Sequence, residues 1–170
     1  MVARLLRNSP CHENVTSGGS TPLVHRARRH SHQQSDWGAR VSDWLVIDQA
    51  RVNQFADATG DHQWIHVDVE RATREMGGPI AHGFLTLSLI PFLGKDILKV
   101  EGVTRGINYG LNKVRFTNMV KVGARVRARQ KLLAVEPKSG GLQLTSEVTI
   151  EIDGDPRPAA VAETISLIFA

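Results

Sequence analysis

Residues Phe55–Ala72, FADATGDHQWIHVDVERA, decide the fold. Within them Gly60 is a natural end for one helix and Asp68 a natural start for the next. Asp61 and His66 lie between these two points, five positions apart. Five residues correspond to about 140° around a helix, and in a strand an odd separation puts side chains on opposite faces. The sequence therefore predicts an irregular arch between Gly60 and Asp68, which lets the two side chains converge.

Helices are predicted on both sides of this arch. Asp48 is a good N-cap for a helix over Gln49–Thr59, whose apolar residues share one face. Asp68 can cap a second, short helix that continues through about Met76. The run Gly77–Pro79, Gly-Gly-Pro, then ends that helix.

The second informative stretch is Pro79–Leu85, PIAHGFL, which leads into a segment that is apolar on nearly every face from Gly83 to about Leu93. Such a segment predicts a helix enclosed by protein rather than half exposed. Pro91 is expected to bend or end it. The longest apolar run, Ile80–Leu93, has about 14 residues, and a membrane helix needs about 20. No membrane span is predicted.

After residue 105 the hydrophobic period changes from helical to two, which indicates strands. Leu142–Ile152 alternates between apolar and polar residues, and Asp153-Gly154 then turns the chain. In the last strand the odd-numbered residues from Ala159 to Phe169 are predicted to face inward. A change of phase predicts a bulge near Asn112-Lys113. Helices in the first half and long antiparallel strands in the second predict an α+β fold with helices on one face of a curved sheet.

Charge is concentrated at the N-terminus. Residues 1–36 hold five arginines against Glu13 and Asp36, which leaves +3 there and +1 for the rest of the +4 total. We expect a disordered basic tail over 1–36 and one domain over 37–170. The nearly neutral domain argues against a nucleic-acid partner. Cys11 is the single cysteine, which rules out an intrachain disulfide and fits a cytoplasmic protein.

The arch and its flanks resemble the hydratase signature of the MaoC-like dehydratase family. That signature has an aromatic residue followed by Gly-Asp, a histidine five residues after the aspartate, and a small residue six further on. The chain supplies the matching residues Gly60, Asp61, His66 and Ala72. It departs from the commonest form, which has Asn-Pro where this chain has Gln63 and Trp64, and this departure leaves the substrate open.

The resemblance continues through Ile80–Phe84 and Tyr109–Phe116, covers roughly residues 38–170, and is greatest for the nodulation-protein-N-like branch. It implies a hot-dog fold, an antiparallel sheet wrapped around a central buried helix. It also implies a homodimer that adds water reversibly to a trans-2-enoyl-CoA thioester, without metal or cofactor. Asp61 would be the base that deprotonates water and His66 the acid that protonates C2, although these two roles can be argued the other way.

The resemblance also points to residues that bind the substrate. The backbone N–H of Gly83, at the start of the apolar helix, is the expected donor to the enolate oxygen. Trp64 can line the acyl pocket or anchor the arch, and Phe84 is a further candidate for substrate binding. Lys113 and Arg115 can meet the phosphates of CoA, but charges on a strand are usually a solvated face.

Other readings of the same residues stay open. His62 and His66 are four apart, as in zinc proteases, but that motif needs a helix and a glutamate where this chain has Gln63. We therefore predict no metal site. Alternative functions are a hot-dog thioesterase, in which a carboxylate drives hydrolysis, and a non-catalytic acyl-CoA-binding protein. His82 is given no role.

Overall fold

A computed structural model describes residues 5–6 and 38–170 of the chain. The helices in chain order are α1 (Gln49–Thr59), α2 (Trp64–Val67), α3 (Val69–Met76), α4 (Gly83–Ser88) and α5 (Ile90–Gly94). The strands are β1 (Leu5–Leu6), β2 (Arg40–Val41), β3 (Leu45–Val46), β4 (Lys99–Val100), β5 (Arg105–Phe116), β6 (Arg125–Lys138), β7 (Gly141–Ile152) and β8 (Asp155–Phe169). The helices therefore precede the four long strands, as the change of period predicts.

The main sheet is antiparallel, with strand order β2-β6-β7-β8-β5 and β3 also paired with β6. Strands β6, β7 and β8 follow one another through tight turns, so neighbours in sequence are neighbours in the sheet. Strand β5 forms one edge, where it pairs only with β8 among the described strands. β1 and β4 form a separate two-stranded pair.

The helices next to the arch begin and end as predicted. The side chain of Asp48 accepts a hydrogen bond from the Arg51 N–H at 2.8 Å, and the side chain of Asp68 accepts one from the Arg71 N–H at 2.9 Å. Gly60 ends α1 with a φ of 77°, a left-handed conformation that glycine adopts without a steric penalty. These caps fix the two ends of the arch.

The central apolar segment is only partly enclosed. Leu85, Leu89 and Leu93 recur every four residues and are 5–6% exposed, packed into the core against the sheet. Phe84 and Phe92 lie on the other side of the segment and are 66% and 49% exposed. The expectation of a helix buried on every face is therefore wrong for the single chain, because the sheet covers one side of it.

A break divides this segment into two helices. Leu89 separates α4 from α5 and keeps right-handed helical angles, while Pro91 lies in the first turn of α5. A proline there loses no helical hydrogen bond, since the first-turn N–H groups have no partner within the helix. The predicted interruption is confirmed, and it lies just before the proline.

The phase of the strands is predicted correctly for β7 and only in part for β8, where the predicted Ala159 and Leu167 are buried but Ala160 and Ala162 are buried as well. Along β7 the even-numbered residues from Leu144 to Ile152 are buried. Val148 pairs with Ala162 and Ile150 with Ala160. Paired residues in an antiparallel sheet point to the same side, so the even-numbered residues of β8 face the core. The small Ala160 and Ala162 are buried there, whereas the larger Val161 and Ile165 beside them are only half-buried.

Strand β5 carries the predicted irregularity. Its pairing with β8 shifts register between Leu111 and Lys113, which confirms a bulge at Asn112. A second shift lies between Asn108 and Gly110. A bulge locally bends its strand and increases its twist, so the two shifts are points at which this edge strand can curve.

The predicted tail over residues 1–36 lies outside the described residues, except for Leu5–Leu6, so it stays a prediction. In the part of the chain that is described, no helix is long and apolar enough to cross a membrane. The longest of them, α1, has 11 residues.

Candidate active site

The arch contains an irregular half and a helical half. Residues 60–63 have no regular structure, and α2 then makes a single turn that carries His66. The prediction of an irregular arch is therefore confirmed for its first half, while its second half is a short helix. This combination lets Asp61 and His66 approach each other, which one continuous helix or strand would prevent.

His66 is held from three directions. Its ring Nδ1 lies 2.7 Å from the carbonyl oxygen of Ile80, and the Ile80 N–H donates to the Ile65 carbonyl at 3.0 Å. The side chain of Gln49 donates to the carbonyl of His66 at 2.8 Å and so ties α2 to α1. A carbonyl can only accept, so Nδ1 carries a proton and the neutral ring presents the lone pair of Nε2.

The imidazole of His66 favours its neutral form. Burial lowers the pKa of His66, because the charged ring would lose its hydration. The hydrogen bond to Ile80 opposes this shift, the neighbouring His82 reinforces it, and Asp61 opposes it. The side chain is 7% exposed. His66 is therefore equipped to accept a proton at Nε2.

His82 packs against the ring of His66 and was given no role by the sequence. The two imidazoles stack with centroids 3.7 Å apart and planes 28° apart. The ring of Phe55 lies 5.0 Å from His82, which is itself 3% exposed. Nε2 of His82 lies 2.9 Å from the backbone carbonyl oxygen of Asp61, and therefore donates to it. The sequence marked His82 in one way only, as a polar residue within the apolar run Ile80–Leu93.

Asp61 is the exposed member of the cluster. Its side chain is 54% exposed, and its Oδ2 lies 3.9 Å from Nε2 of His82. One atom from each of Asp61, His66 and His82 lies within 4.8 Å of the others. The predicted convergence of Asp61 and His66 is present, and a third residue joins them.

The cluster also has a donor set that can ligate a divalent ion, one carboxylate and two imidazoles. Two of its four ring nitrogens already bind backbone carbonyls, Nδ1 of His66 and Nε2 of His82. Nε2 of His66 has no hydrogen-bond partner among the described residues. The prediction that the site works without metal stays a prediction.

Gly83 opens α4 directly after His82 and lies against Phe116 of β5. A Cβ atom at Gly83 would lie 3.0 Å from Cγ of Phe116 and 3.1 Å from both Cδ atoms of that ring. Carbon atoms not bonded to each other normally stay about 3.5–4.0 Å apart. Glycine therefore permits the close approach of β5 to the start of the helix.

The N–H of Gly83 is one of the amides that the first turn of a helix leaves unpaired. No acceptor for it is found among the described residues. A cleft of about 310 Å³ opens beside it, lined by His66, Gly83, Thr86, Phe116 and Arg157 among others. Arg157 was not singled out from the sequence, and among the residues that the structure describes it is the one arginine or lysine that lines this cleft.

None of the four residues predicted to bind substrate lines this cleft. Trp64 opens α2, and the Arg71 guanidinium lies 4.1 Å above its ring, which favours the reading as an anchor of the arch. Phe84 makes an edge contact with Phe116 at 5.5 Å. Lys113 and Arg115 of β5 are paired with Glu163 and Val161 of β8 and are exposed. Their roles stay predictions.

A second, larger cleft of about 780 Å³ lies further along the central helix. Thr86 lines the first cleft and Leu87 the second. Phe116 borders the first at one end of β5, and residues 106–111 border the second at the other end. Both clefts thus lie between the central helices and the strands β5 and β8.

Two curated relatives are similar over most of the chain. The 3-hydroxyacyl-thioester dehydratase Z of Mycobacterium tuberculosis is 56% identical over 126 residues, which are 73% of this chain and 83% of that protein. Nodulation protein N of Rhizobium leguminosarum bv. viciae is 47% identical over 131 residues, 75% of this chain and 81% of that protein. The predicted resemblance to the nodulation-protein-N-like branch is confirmed.

Solved structures share the fold at low sequence identity. An (R)-hydratase from A. caviae involved in PHA biosynthesis aligns with a TM-score of 0.64 and 23% identity, over 80% of this chain and 98% of that one. The MaoC-like dehydratase from Rhodospirillum rubrum aligns with a TM-score of 0.62 and 18% identity, over 79% of this chain and 92% of that one. The predicted α+β hot-dog fold is confirmed.

The family assignment follows from a direct match. The family model described as MaoC like domain matches residues 32–151, well over half of the 170 residues. Since that match includes the arch, the central helix and most of the sheet, the chain belongs to the MaoC-like dehydratase family.

Proposed function

We propose that this chain is a hydro-lyase that interconverts a 3-hydroxyacyl-CoA and a trans-2-enoyl-CoA, with Asp61 and His66 as its acid/base pair. The observation that carries the proposal is the free Nε2 of a buried, neutral His66 close to the carboxylate of Asp61. The name of the relative that is 56% identical, a 3-hydroxyacyl-thioester dehydratase, supports the class of reaction.

The two residues hold one proton between them. It starts on Asp61 for dehydration and on His66 for hydration. In dehydration, Nε2 of His66 takes the C2 proton, and the electrons of that bond form the enolate of the thioester. The enolate then collapses to the C2–C3 double bond, the C3–O bond breaks, and the carboxyl of Asp61 gives its proton to the departing hydroxyl, which leaves as water. His66 is now protonated and returns the proton to Asp61. Hydration is the reverse sequence, and each proton transfer contributes about 10²–10⁴ in rate.

The N–H of Gly83 is proposed to hold the enolate oxygen. It lies at the start of α4, beside the cleft that His66 lines. Helix α4 has six residues, so the direct N–H hydrogen bond, rather than a long helix dipole, carries this role. A donor fixed in place before the reaction lowers the barrier because it needs no reorganisation as charge develops, and one such donor is worth about 3 kcal/mol.

The larger cleft along the central helix is proposed to take the acyl chain. It adjoins the catalytic cleft, and its walls include Leu87, Ile90 and Leu144. Burying a methylene group gains about 0.8 kcal/mol, so a lengthening chain should bind progressively better until the cleft is full. A series of trans-2-enoyl-CoA substrates from four to sixteen carbons tests this, since KM should fall with length to a plateau. A KM independent of chain length would place the acyl chain elsewhere.

A homodimer is proposed because the edge strand β5 is long, exposes several apolar side chains and has a strand partner on one side only in the described structure. Ile107, Tyr109, Leu111 and Phe116 on this strand are 44–54% exposed. An unpaired edge of this kind is a template for a second strand. The exposed Phe84 and Phe92 of the central helix add further apolar surface for a partner.

Crotonyl-CoA separates the hydratase from its alternatives. Mixed with the purified protein, it should lose its enoyl absorbance with no release of free thiol, because water adds across the double bond and the thioester stays intact. Thiol release would identify a thioesterase. Binding of several acyl-CoA lengths without either change would identify a non-catalytic acyl-CoA-binding protein.

A further inference from the structure

His82 contacts both members of the acid/base pair, although no step of the reaction uses it. Its ring stacks on His66 with centroids 3.7 Å apart, and its Nε2–H donates to the carbonyl of Asp61 at 2.9 Å. The ring of Phe55 also packs against His82, with its centroid 5.0 Å away. At 3% exposed, His82 is more deeply buried than either residue of the pair.

The carbonyl of Asp61 is the point at which the irregular half of the arch is tied to the rest of the protein. Most other hydrogen bonds of residues 61–63 are local, such as His62 N–H to the Gly60 carbonyl at 3.2 Å and Asp61 N–H to Thr59 Oγ1 at 3.4 Å. Among the hydrogen bonds of the described residues, only the one from His82 joins residues 61–63 to a distant part of the chain. The position of an otherwise exposed Asp61 therefore depends on His82.

The chemistry of the ring explains why a histidine suits this position. Its Nε2 must carry a proton, because the partner is a carbonyl oxygen. Its Nδ1 is buried, and no hydrogen-bond partner for it is found in the described structure. A second proton on Nδ1 would be a buried N–H without an acceptor, which is unfavourable. His82 is therefore a flat donor that packs against both Phe55 and His66.

We propose that His82 is a positioning residue, which holds Asp61 by its backbone and His66 by its ring so that both face the same substrate atoms. This inference rests on the proposed hydro-lyase function. Its physical basis is that catalysis requires the acid and the base within about 0.5 Å of their productive positions, and a 1 Å displacement can lower the rate about 10²-fold.

Two amide substitutions separate positioning from simple burial. In His82→Gln the side-chain amide reaches the place of Nε2 and can still donate to Asp61, whereas in His82→Asn it reaches only the place of Nδ1. Both are polar and both lose the stacked ring, so they disturb the core similarly. We expect kcat on crotonyl-CoA to fall about 10²-fold in His82→Asn, with KM within about threefold of wild type. The kcat of His82→Gln should be about tenfold higher than that of His82→Asn. Equal kcat values in the two variants would overturn the inference.

His62→Gln is the matched control, because this neighbouring histidine has a side chain that is 54% exposed and contacts Asp57 at 3.8 Å. It should keep wild-type kcat. A thermal melt of each variant shows whether it is folded. The kcat values of His82→Gln and His82→Asn are compared once the two variants have been shown to melt at the same temperature.

A second measurement needs neither a variant nor activity. Long-range ¹H–¹⁵N NMR spectra of histidine-labelled wild type should show the Nε2–H tautomer for His82 and the Nδ1–H tautomer for His66. The opposite tautomer at His82 would overturn the inference even if every variant misfolds. The two proposals can fail separately: inactivity of the wild type on all enoyl thioesters refutes the hydro-lyase, whereas an active wild type with equal His82 variants refutes only the positioning role.

Discussion

Gly83→Ala tests the oxyanion donor through a single methyl group. The new Cβ would lie 3.0–3.1 Å from three atoms of the Phe116 ring, about 0.5 Å closer than an ordinary carbon contact. Either the ring moves away or the start of α4 does. Phe116 is 44% exposed, so its ring can move away by part of the required distance. The start of α4 must then move by the remaining few tenths of an ångström, which displaces the Gly83 N–H.

Complete loss of such a donor costs about 10²–10³ in kcat, so a partial displacement should cost about tenfold. Stability should change little, because alanine gains about 0.4–1 kcal/mol by restricting the unfolded chain and loses about 1 kcal/mol or more to overpacking. The assay is steady-state hydration of crotonyl-CoA together with a thermal melt.

Gly38→Ala is the control for this prediction, since a Cβ atom there meets nothing within 4 Å. It should leave kcat unchanged. A Gly83→Ala enzyme with kcat within twofold of wild type would refute the assignment of the Gly83 N–H. A melting temperature lowered by more than about 10 °C would show that the methyl group disrupts the fold rather than the donor.

Three further predictions follow from the same structure. Because burial lowers the pKa of His66, the neutral base that dehydration requires persists to lower pH than in an ordinary histidine, so kcat/KM for dehydration of 3-hydroxybutyryl-CoA should fall only as the pH drops through this lowered pKa; a limb at or above the ordinary histidine value would contradict the assignment. Over the interval between the lowered folded pKa and the ordinary unfolded one, the unfolded chain binds more protons, so the free energy of unfolding should decrease as the pH falls; urea titrations at several pH values should show no such decrease in His66→Gln. Leu111→Lys, on the exposed edge strand, should shift the mass measured by light scattering from dimer to monomer, whereas Lys131→Gln, exposed on β6 and separated from β5 by β7 and β8, should stay dimeric; an unchanged mass for Leu111→Lys would argue against an interface at this edge.

The local parts of the site could be read from the sequence because short-range chemistry determines them. Asp48, Gly60 and Asp68 are capping residues, so the ends of the arch were visible without a structure. The five-residue spacing then restricted how Asp61 and His66 can meet.

Contacts between distant segments were not visible in this way. His82 reaches Asp61 across 21 positions, and no pattern of period or capping reports such a contact. The phase of β8 was wrong in the middle of the strand for a related reason. Ala160 and Ala162 face the helix because they are small, whereas a hydrophobicity pattern favours the bulkier residues beside them.

The burial of the central helix depends on what covers it. Its apolar residues predicted enclosure, yet Phe84 and Phe92 are exposed in the single chain. A pattern reports that a face is apolar, and it cannot report whether the covering surface belongs to the same chain or to a second one.

Hydration of crotonyl-CoA by wild type, Asp61→Asn and His66→Gln, with the product identified by chromatography, tests the central proposal most directly. The wild type should form 3-hydroxybutyryl-CoA, and each variant should lose about 10²–10⁴ in kcat while keeping the wild-type circular dichroism spectrum. Wild-type kcat in either folded variant would contradict the role of Asp61 and His66 as the acid/base pair.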